Sequence, residues 1–186
     1  MGDTTRRRRR VAPYVSLGVG LVMVGLFAVF LLVEPSRDSA ETALLDRAAP
    51  AVTGEYADGT QFELARRRGS WVVLNFFTST CIPCRNEHPE LVAFVEGQRA
   101  LGIDGVEFYT IVQNDDPGAV EEFFDEFGGD WPVVYDIDFS FQNGFGVAQV
   151  PETWIIDANG IVRGRIISEV SAEFLATSIQ TLRERL

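Results

Sequence analysis

Hydrophobic and polar positions follow different periods along this chain, and the first block stands apart from the rest. Residues 11–33 include no charged side chain, and a run of about 23 residues at about 1.5 Å each crosses a hydrocarbon core of roughly 30 Å. Residues 34–49 mix small and polar side chains without a period and end at Pro50, as a tether would. Beyond Pro50 the pattern becomes that of a folded domain. Residues 52–56 and 61–64 flank Ala57-Asp58-Gly59-Thr60, whose Asp-Gly pair predicts a hairpin turn. Arg66-Arg67-Arg68-Gly69 predicts a solvated loop. Residues 71–77 are apolar except for Asn75, the pattern of a central strand covered on both faces. Leu91, Val92, Phe94, Val95 and Leu101 then recur at helical spacing, with Gly102 as the stop.

Residues 106–112 predict another strand. Asp115-Asp116-Pro117 opens a second helix with Val120, Phe123, Phe124 and Phe127 on its inner face and Gly128-Gly129 at its end. A short strand over 131–135 and a loop or short helix over 139–147 follow. Segments 153–157 and 161–167 flank an Asn159-Gly160 hairpin turn. Ser171 caps a last helix reaching Arg185, with Phe174, Leu175, Ile179 and Leu182 inward. Hairpin, β, α, β, α, β, β-hairpin, α predicts an α/β domain over residues 50–186, a mixed sheet with helices on both faces.

Charge changes this picture at the N-terminus. The net charge of −11 is split: residues 6–10 are all arginine, while all but one of the 27 acidic residues lie beyond position 33. Positive-inside asymmetry makes 1–10 a cytoplasmic stub, 11–33 an uncleaved transmembrane anchor, 34–49 a linker and 50–186 extracytoplasmic. A cleaved signal peptide or a twin-arginine export signal competes with the anchor. Both are disfavoured by the length of the apolar run, and no small-x-small site follows it closely. The acidic domain argues against nucleic acid and against lying flat on an anionic bilayer.

The chemistry lies in Cys81 and Cys84, the only cysteines, between a strand pattern and a helix pattern. A purely structural disulfide this short closes too little chain to stabilise much. Zinc needs about four ligands, and the chain offers two cysteines and one histidine, so no metal is expected. A redox-active pair is the reading that remains, with no other cofactor. Cys81 at the helix start is the attacking thiolate, favoured by free N–H groups and the helix dipole. Cys84, one turn in, resolves the mixed disulfide. Pro83 fits the first turn, where its missing N–H costs nothing. Glu87, three residues past Cys84, falls on the same side of the helix. His88, the one histidine, falls on a different face and reads as structural or surface. Trp131 and Trp154 read as core.

Three segments carry a family resemblance: Leu74-Asn75-Phe76 leading to Cys81-Ile82-Pro83-Cys84-Arg85-Asn86-Glu87-His88, then Gln113-Asn114-Asp115-Asp116, then residues 146–160 with Val150-Pro151-Glu152-Thr153-Trp154 at their centre. From about Ala49 onward the chain resembles the membrane-tethered thioredoxin-like proteins of cytochrome c biogenesis, the CcmG/DsbE type, with ResA and TlpA as relatives. The resemblance implies a thioredoxin-like fold with an N-terminal hairpin extension. It implies a cis Val150–Pro151 bond facing the cysteines, with Val150 and Pro151, flanked by Thr80 and Ile82, meeting the client. A strand-starting trans proline is the plain alternative. Glu87 becomes a buried acid that tunes the thiols and relays a proton, Asn75 replaces the buried strand Asp of thioredoxin, and Glu152 contributes an acidic rim. Thr80 departs from the family, which has Trp there.

The resemblance implies a thiol-disulfide oxidoreductase that reduces apocytochrome c cysteines before haem attachment, with electrons from a membrane thiol carrier of the CcdA/DsbD kind. Three alternatives stay open: an oxidase that forms disulfides in secreted proteins, a peroxiredoxin-like peroxidase, and a non-enzymatic haem or client chaperone. The peroxidase motif is matched by Thr78-x-x-Cys81, but Leu74 stands where that motif has proline.

Overall fold

Apolar side chains at every position of 71–77 but one force that segment to the middle of the molecule, because a strand projects successive side chains to opposite faces. The computed structural model describes residues 43–186 and, before them, Gly18, Gly20, Val22, Met23, Gly25 and Phe27, all helical. The expected anchor over 11–33 otherwise lies outside the described residues, as do the stub 1–10 and residues 34–42. Among the described residues no helix is long and apolar enough to cross a membrane. The chain divides into two units, Met1–Arg37 and Asp38–Leu186, and the second carries the elements below.

The strands are β1 (Thr53–Glu55), β2 (Gln61–Glu63), β3 (Val72–Phe77), β4 (Glu107–Val112), β5 (Val133–Tyr135), β6 (Glu152–Ile156) and β7 (Val162–Ile167). The helices are α1 (Ile82–Ala100), α2 (Pro117–Phe127), α3 (Ser140–Phe145) and α4 (Ala172–Glu184). One seven-stranded sheet runs β2-β1-β5-β4-β3-β6-β7. β3 is parallel to β4 and β4 to β5, while β6 is antiparallel to β3 and β7 to β6. The result is the mixed sheet expected from the element order. All six residues of β3 are buried. Leu74 and Phe76 pack with Phe62, Phe141, Phe145 and Trp154 on the face of α3. Val73 packs with Leu91, Phe94, Leu175 and Ile179 of α1 and α4, and Phe77 with Cys84, Val120 and Phe123. Asn75 therefore lies between Val73 and Phe77 on the α1 face, a polar side chain set directly under the cysteine helix.

Three expectations need correction. The tether does not run free to Pro50: Asp46 N–H donates to Val162 O at 2.9 Å, Ala49 N–H to Gly160 O at 2.8 Å, and Ala48 bridges Ile161. Small residues without a period gave no hint that they would cover the start of β7. Residues 64–67 form a 3-10 helix in which Leu64 is buried, with the Arg67 guanidinium 5.8 Å from the Phe62 ring centre. On α4 the inner stripe is Ala172, Leu175, Ala176, Ile179 and Leu182. Phe174 stands one position off that stripe and is 55% exposed.

Gly54 is required where β1 meets β5. A Cβ there would stand 2.6 Å from Val134 Cγ1 and 2.8 Å from the Tyr135 carbonyl oxygen. Gly54→Ala is expected to cost about 2 kcal/mol, read as a lower denaturant midpoint with the slope kept. An unchanged midpoint would mean that β1 shifts freely off β5.

Candidate active site

β3 delivers the chain into a turn over residues 78–80 and then into α1. Cys81 N–H closes the turn on Thr78 O at 3.2 Å. Asp115, from the loop after β4, pins it: its Oδ2 accepts Ser79 N–H at 2.5 Å and its Oδ1 accepts the Ser79 hydroxyl at 3.1 Å. The neighbouring Asp116 caps α2 by accepting Ala119 N–H at 3.1 Å. The expected acidic cap thus divides its work, and only one of the two acids caps.

Cys81 is the N-cap of α1, and its Sγ accepts Cys84 N–H at 3.0 Å. The cysteines form a disulfide with Cα atoms 5.2 Å apart. Pro83 stands in the first turn. Cys84 is 1% exposed, whereas Cys81 is half-buried and Ile82, beside it, is 73% exposed. Of the two sulfur-bearing residues only Cys81 opens to solvent, beside exposed Thr80, Ile82 and Pro83, so an incoming sulfur reaches Cys81 and not Cys84.

Glu87 lies one turn along, on the buried side of α1 with Cys84, and is 2% exposed. Its Oε1 accepts Asn75 Nδ2–H at 2.8 Å, and its Oε2 accepts Val170 N–H at 3.1 Å. Asn75 Nδ2 also donates to Thr153 Oγ1 at 3.1 Å, its cross-strand neighbour. Burial is the main influence and pushes the Glu87 carboxyl up to about 7, with the Glu169 charge adding to it. The Asn75 and Val170 hydrogen bonds favour the anion and limit the rise. A buried carboxyl balanced near neutrality can hold or release a proton within one turn of the resolving thiol.

The Val150–Pro151 bond is cis. Val150 packs on the same apolar cluster as Cys81 and Cys84, so the structure brings this segment to the cysteines. Glu152 is a correction. It is fully buried rather than on a rim: Arg165 Nε and Nη2 donate to Oε1 and Oε2, both at 2.9 Å, and Trp154 Nε1–H donates to Oε1 at 2.7 Å. With its oxygens engaged by Arg165 and Trp154, Glu152 offers no charge to a client and instead braces β6 against β7.

His88 is structural and fully enclosed. Its Nε2–H donates to Gly128 O at 2.8 Å, and its ring packs on Phe123, Phe124 and Trp131 with centroids 4.9, 5.3 and 5.3 Å away. Burial holds its pKa below the usual histidine value. Beside the turn lies a cleft of about 760 Å³ whose lining includes Tyr56, Asp115, Glu121, Phe124, Tyr135 and Phe139. Asp115, Thr153, Val170 and Arg165 were not singled out as site residues from the sequence. Each acts on a partner at least thirteen positions away, and the sequence signal was limited to the motifs that hold Asp115 and Thr153.

A family model described as Redoxin matches residues 45–179. HelX, a thiol:disulfide interchange protein of Rhodobacter capsulatus, is 30% identical over 169 residues, covering 87% of this chain and 91% of its own. The thiol:disulfide interchange protein DsbE of Pseudomonas aeruginosa is 26% identical, covering 96% of each chain. The thiol-disulfide oxidoreductase ResA of Geobacillus thermodenitrificans is 30% identical, covering 68% and 71%. The fold matches that of Mycobacterium tuberculosis DsbF with a TM-score of 0.64 at 23% identity, covering 71% of this chain and 95% of that one.

Proposed function

This chain belongs to the Redoxin family, and from that membership and the geometry at the head of α1 we propose that it keeps client cysteines reduced outside the cytoplasm. It is a thiol-disulfide oxidoreductase of the DsbE/ResA type with a thioredoxin-like fold. In the proposed direction the reduced Cys81 thiolate attacks one sulfur of a client disulfide. A Cys81–client disulfide forms, and the departing client sulfur takes a proton. Cys84 then gives its proton to the Glu87 carboxylate and attacks Cys81 Sγ. The Cys81–Cys84 disulfide forms, and the client's second sulfur leaves as a thiolate and is protonated. Two electrons have passed to the client, and a membrane thiol carrier of the CcdA/DsbD kind restores the dithiol.

Buried Glu87, one turn beyond Cys84, is the observation that supports the reducing direction. Asp115 is bonded to Ser79, two residues before Cys81. Negative charge beside a sulfur makes a thiolate costlier, and a destabilised reduced form gives electrons away readily. Strong oxidants do the reverse and stabilise the thiolate. The client proposed is apocytochrome c, on the strength of the family resemblance carried by residues 146–160 and Cys81–His88. The domain is proposed to stand on an uncleaved anchor at residues 11–33. Equilibration with glutathione or thioredoxin should give a potential at or below about −200 mV. A potential near −120 mV would make the protein an oxidant and sink the reductant reading.

A further inference from the structure

The link between β7 and α4, residues 168–171, together with Ala172 at the start of α4, reaches both halves of the site through its own backbone. Ser168 N–H donates to the Pro151 carbonyl at 3.0 Å. Val170 N–H donates to Glu87 Oε2 at 3.1 Å, and Ala172 N–H to Glu90 Oε2 at 2.9 Å. Between them, Glu169 accepts Asn86 Nδ2–H at 3.2 Å. Ser168 is held at φ 82°, a region that side-chain-bearing residues avoid unless their surroundings fix them there. Alternate amides of this one segment thus grip the cysteine helix and the segment that carries Val150.

We propose that residues 168–170 are a positioning element that carries the protonation state of Glu87 to the Pro151 carbonyl, and through it to the edge where a client strand pairs. The inference rests on the reading of Val150–Pro151 as that edge. The hydrogen bonds dictate where the proton goes. Both Glu87 oxygens face N–H donors, but Asn75 Nδ2–H at Oε1 is also tied to Thr153 Oγ1, whereas Val170 N–H at Oε2 belongs to a loop that can tilt, so the proton taken up by Glu87 is placed on Oε2. There it opposes Val170 N–H, donor against donor, and a charge-assisted bond becomes a repulsive contact. The Val170 side chain is buried among Leu91, Leu175 and Ile179, so the loop cannot leave. The Val170 amide tilts, and Ser168, two residues back, shifts against Pro151.

The groups that bond or act electrostatically on Glu87 come from β3 and the loop. Asn75 of β3 donates to it and is itself fixed by Thr153 of β6; Val170 N–H and the Glu169 carboxylate face it from the loop; Cys84 and Glu90 share α1 with it. In the catalytic cycle Glu87 gains its proton when Cys84 attacks, which is the moment the client has to go. A loosened Pro151 carbonyl at that step favours release, and the ionised acid favours the next client.

Amide NMR on the full chain in detergent micelles tests this without a client, so its result is independent of what the client is. The amide shifts of Val170 and Ser168 should titrate together with the Glu87 side-chain carboxyl. Hydrogen-exchange protection of Ser168, corrected for intrinsic pH dependence, should fall at least about threefold on the acid side. Both pH dependences should vanish in Glu87→Gln, whose fold is checked by the unchanged Trp154 and His88 signals. Titration of Val170 with a flat Ser168 would overturn the proposal, because the effect would end at the loop. Flat signals at both, with a shift of the Asn75 side-chain amide instead, would overturn it too: the proton would then be on Oε1 with Asn75 turned over.

Discussion

Cys81→Ser is expected to abolish disulfide exchange entirely, while Cys84→Ser performs the first step and stops there. The asymmetry follows from exposure and from the helix terminus. Cys81 is half-buried at the N-cap, with Cys84 N–H on its sulfur at 3.0 Å and the positive end of α1 behind it. Cys84 is 1% exposed, in an apolar cluster with Phe77, Val112 and Phe123, so no external sulfur reaches it. Serine cannot form the mixed disulfide, and without Cys81 there is no sulfur to attack. Without Cys84 the mixed disulfide forms but has no resolving thiol, and the client stays on Cys81. Mass spectrometry of the trapped adducts reads the outcome. Attachment to Cys81 of cytochrome c precursors supports the proposed client, and recovery of diverse secreted proteins favours an oxidase. Peroxide consumption by the wild type without any thiol client would replace both with a peroxidase. Trapping through Cys84 in a Cys81→Ser protein would reverse the roles of the two sulfurs.

What the sequence disclosed and what it withheld divide by the range of the interaction. The Asp58-Gly59 and Asn159-Gly160 turns, the Asp116 and Ser171 caps, and the buried run ending at Phe77 are local signals, and each stands where it was expected. The disulfide and the cis Val150–Pro151 bond were legible because short motifs carry them. Glu152 was misplaced because sequence cannot show that Arg165, thirteen residues away on β7, folds back onto it. The bond from Val170 N–H to Glu87, 83 positions apart, leaves no trace in the sequence at all, since any residue but proline supplies that donor. Phe174 failed for a smaller reason: helical spacing tolerates a phase error of one residue, and Leu175 takes the inner place.

Glu87→Gln is expected to remove a loss of stability that the wild type suffers as pH rises. In the fold this carboxyl rises from 4.5 to about 7, so the folded state binds its proton more tightly than the unfolded chain does. An acid raised in this way contributes its full stability below pH 4.5, and that contribution is lost as pH climbs through about 7. Above that range the ionised, desolvated carboxylate costs about 3 kcal/mol relative to its protonated form. Glutamine carries no such cost. Its side chain still accepts Asn75 Nδ2–H, but its own N–H group then meets Val170 N–H, a penalty that is the same at every pH. The quantity to compare is therefore the slope: from denaturant melts at pH 4 to 9, wild-type stability should fall relative to Glu87→Gln by about 3 kcal/mol, mostly between pH 5 and 8. His88 has the opposite slope, because its folded pKa is depressed: its contribution is present above 6.5 and is lost as pH falls from there through the lowered folded value. It is common to both proteins and cancels in the difference. A difference that stays constant with pH would mean that Glu87 titrates in the fold as it does in the open chain. The proton-relay role would fall with it.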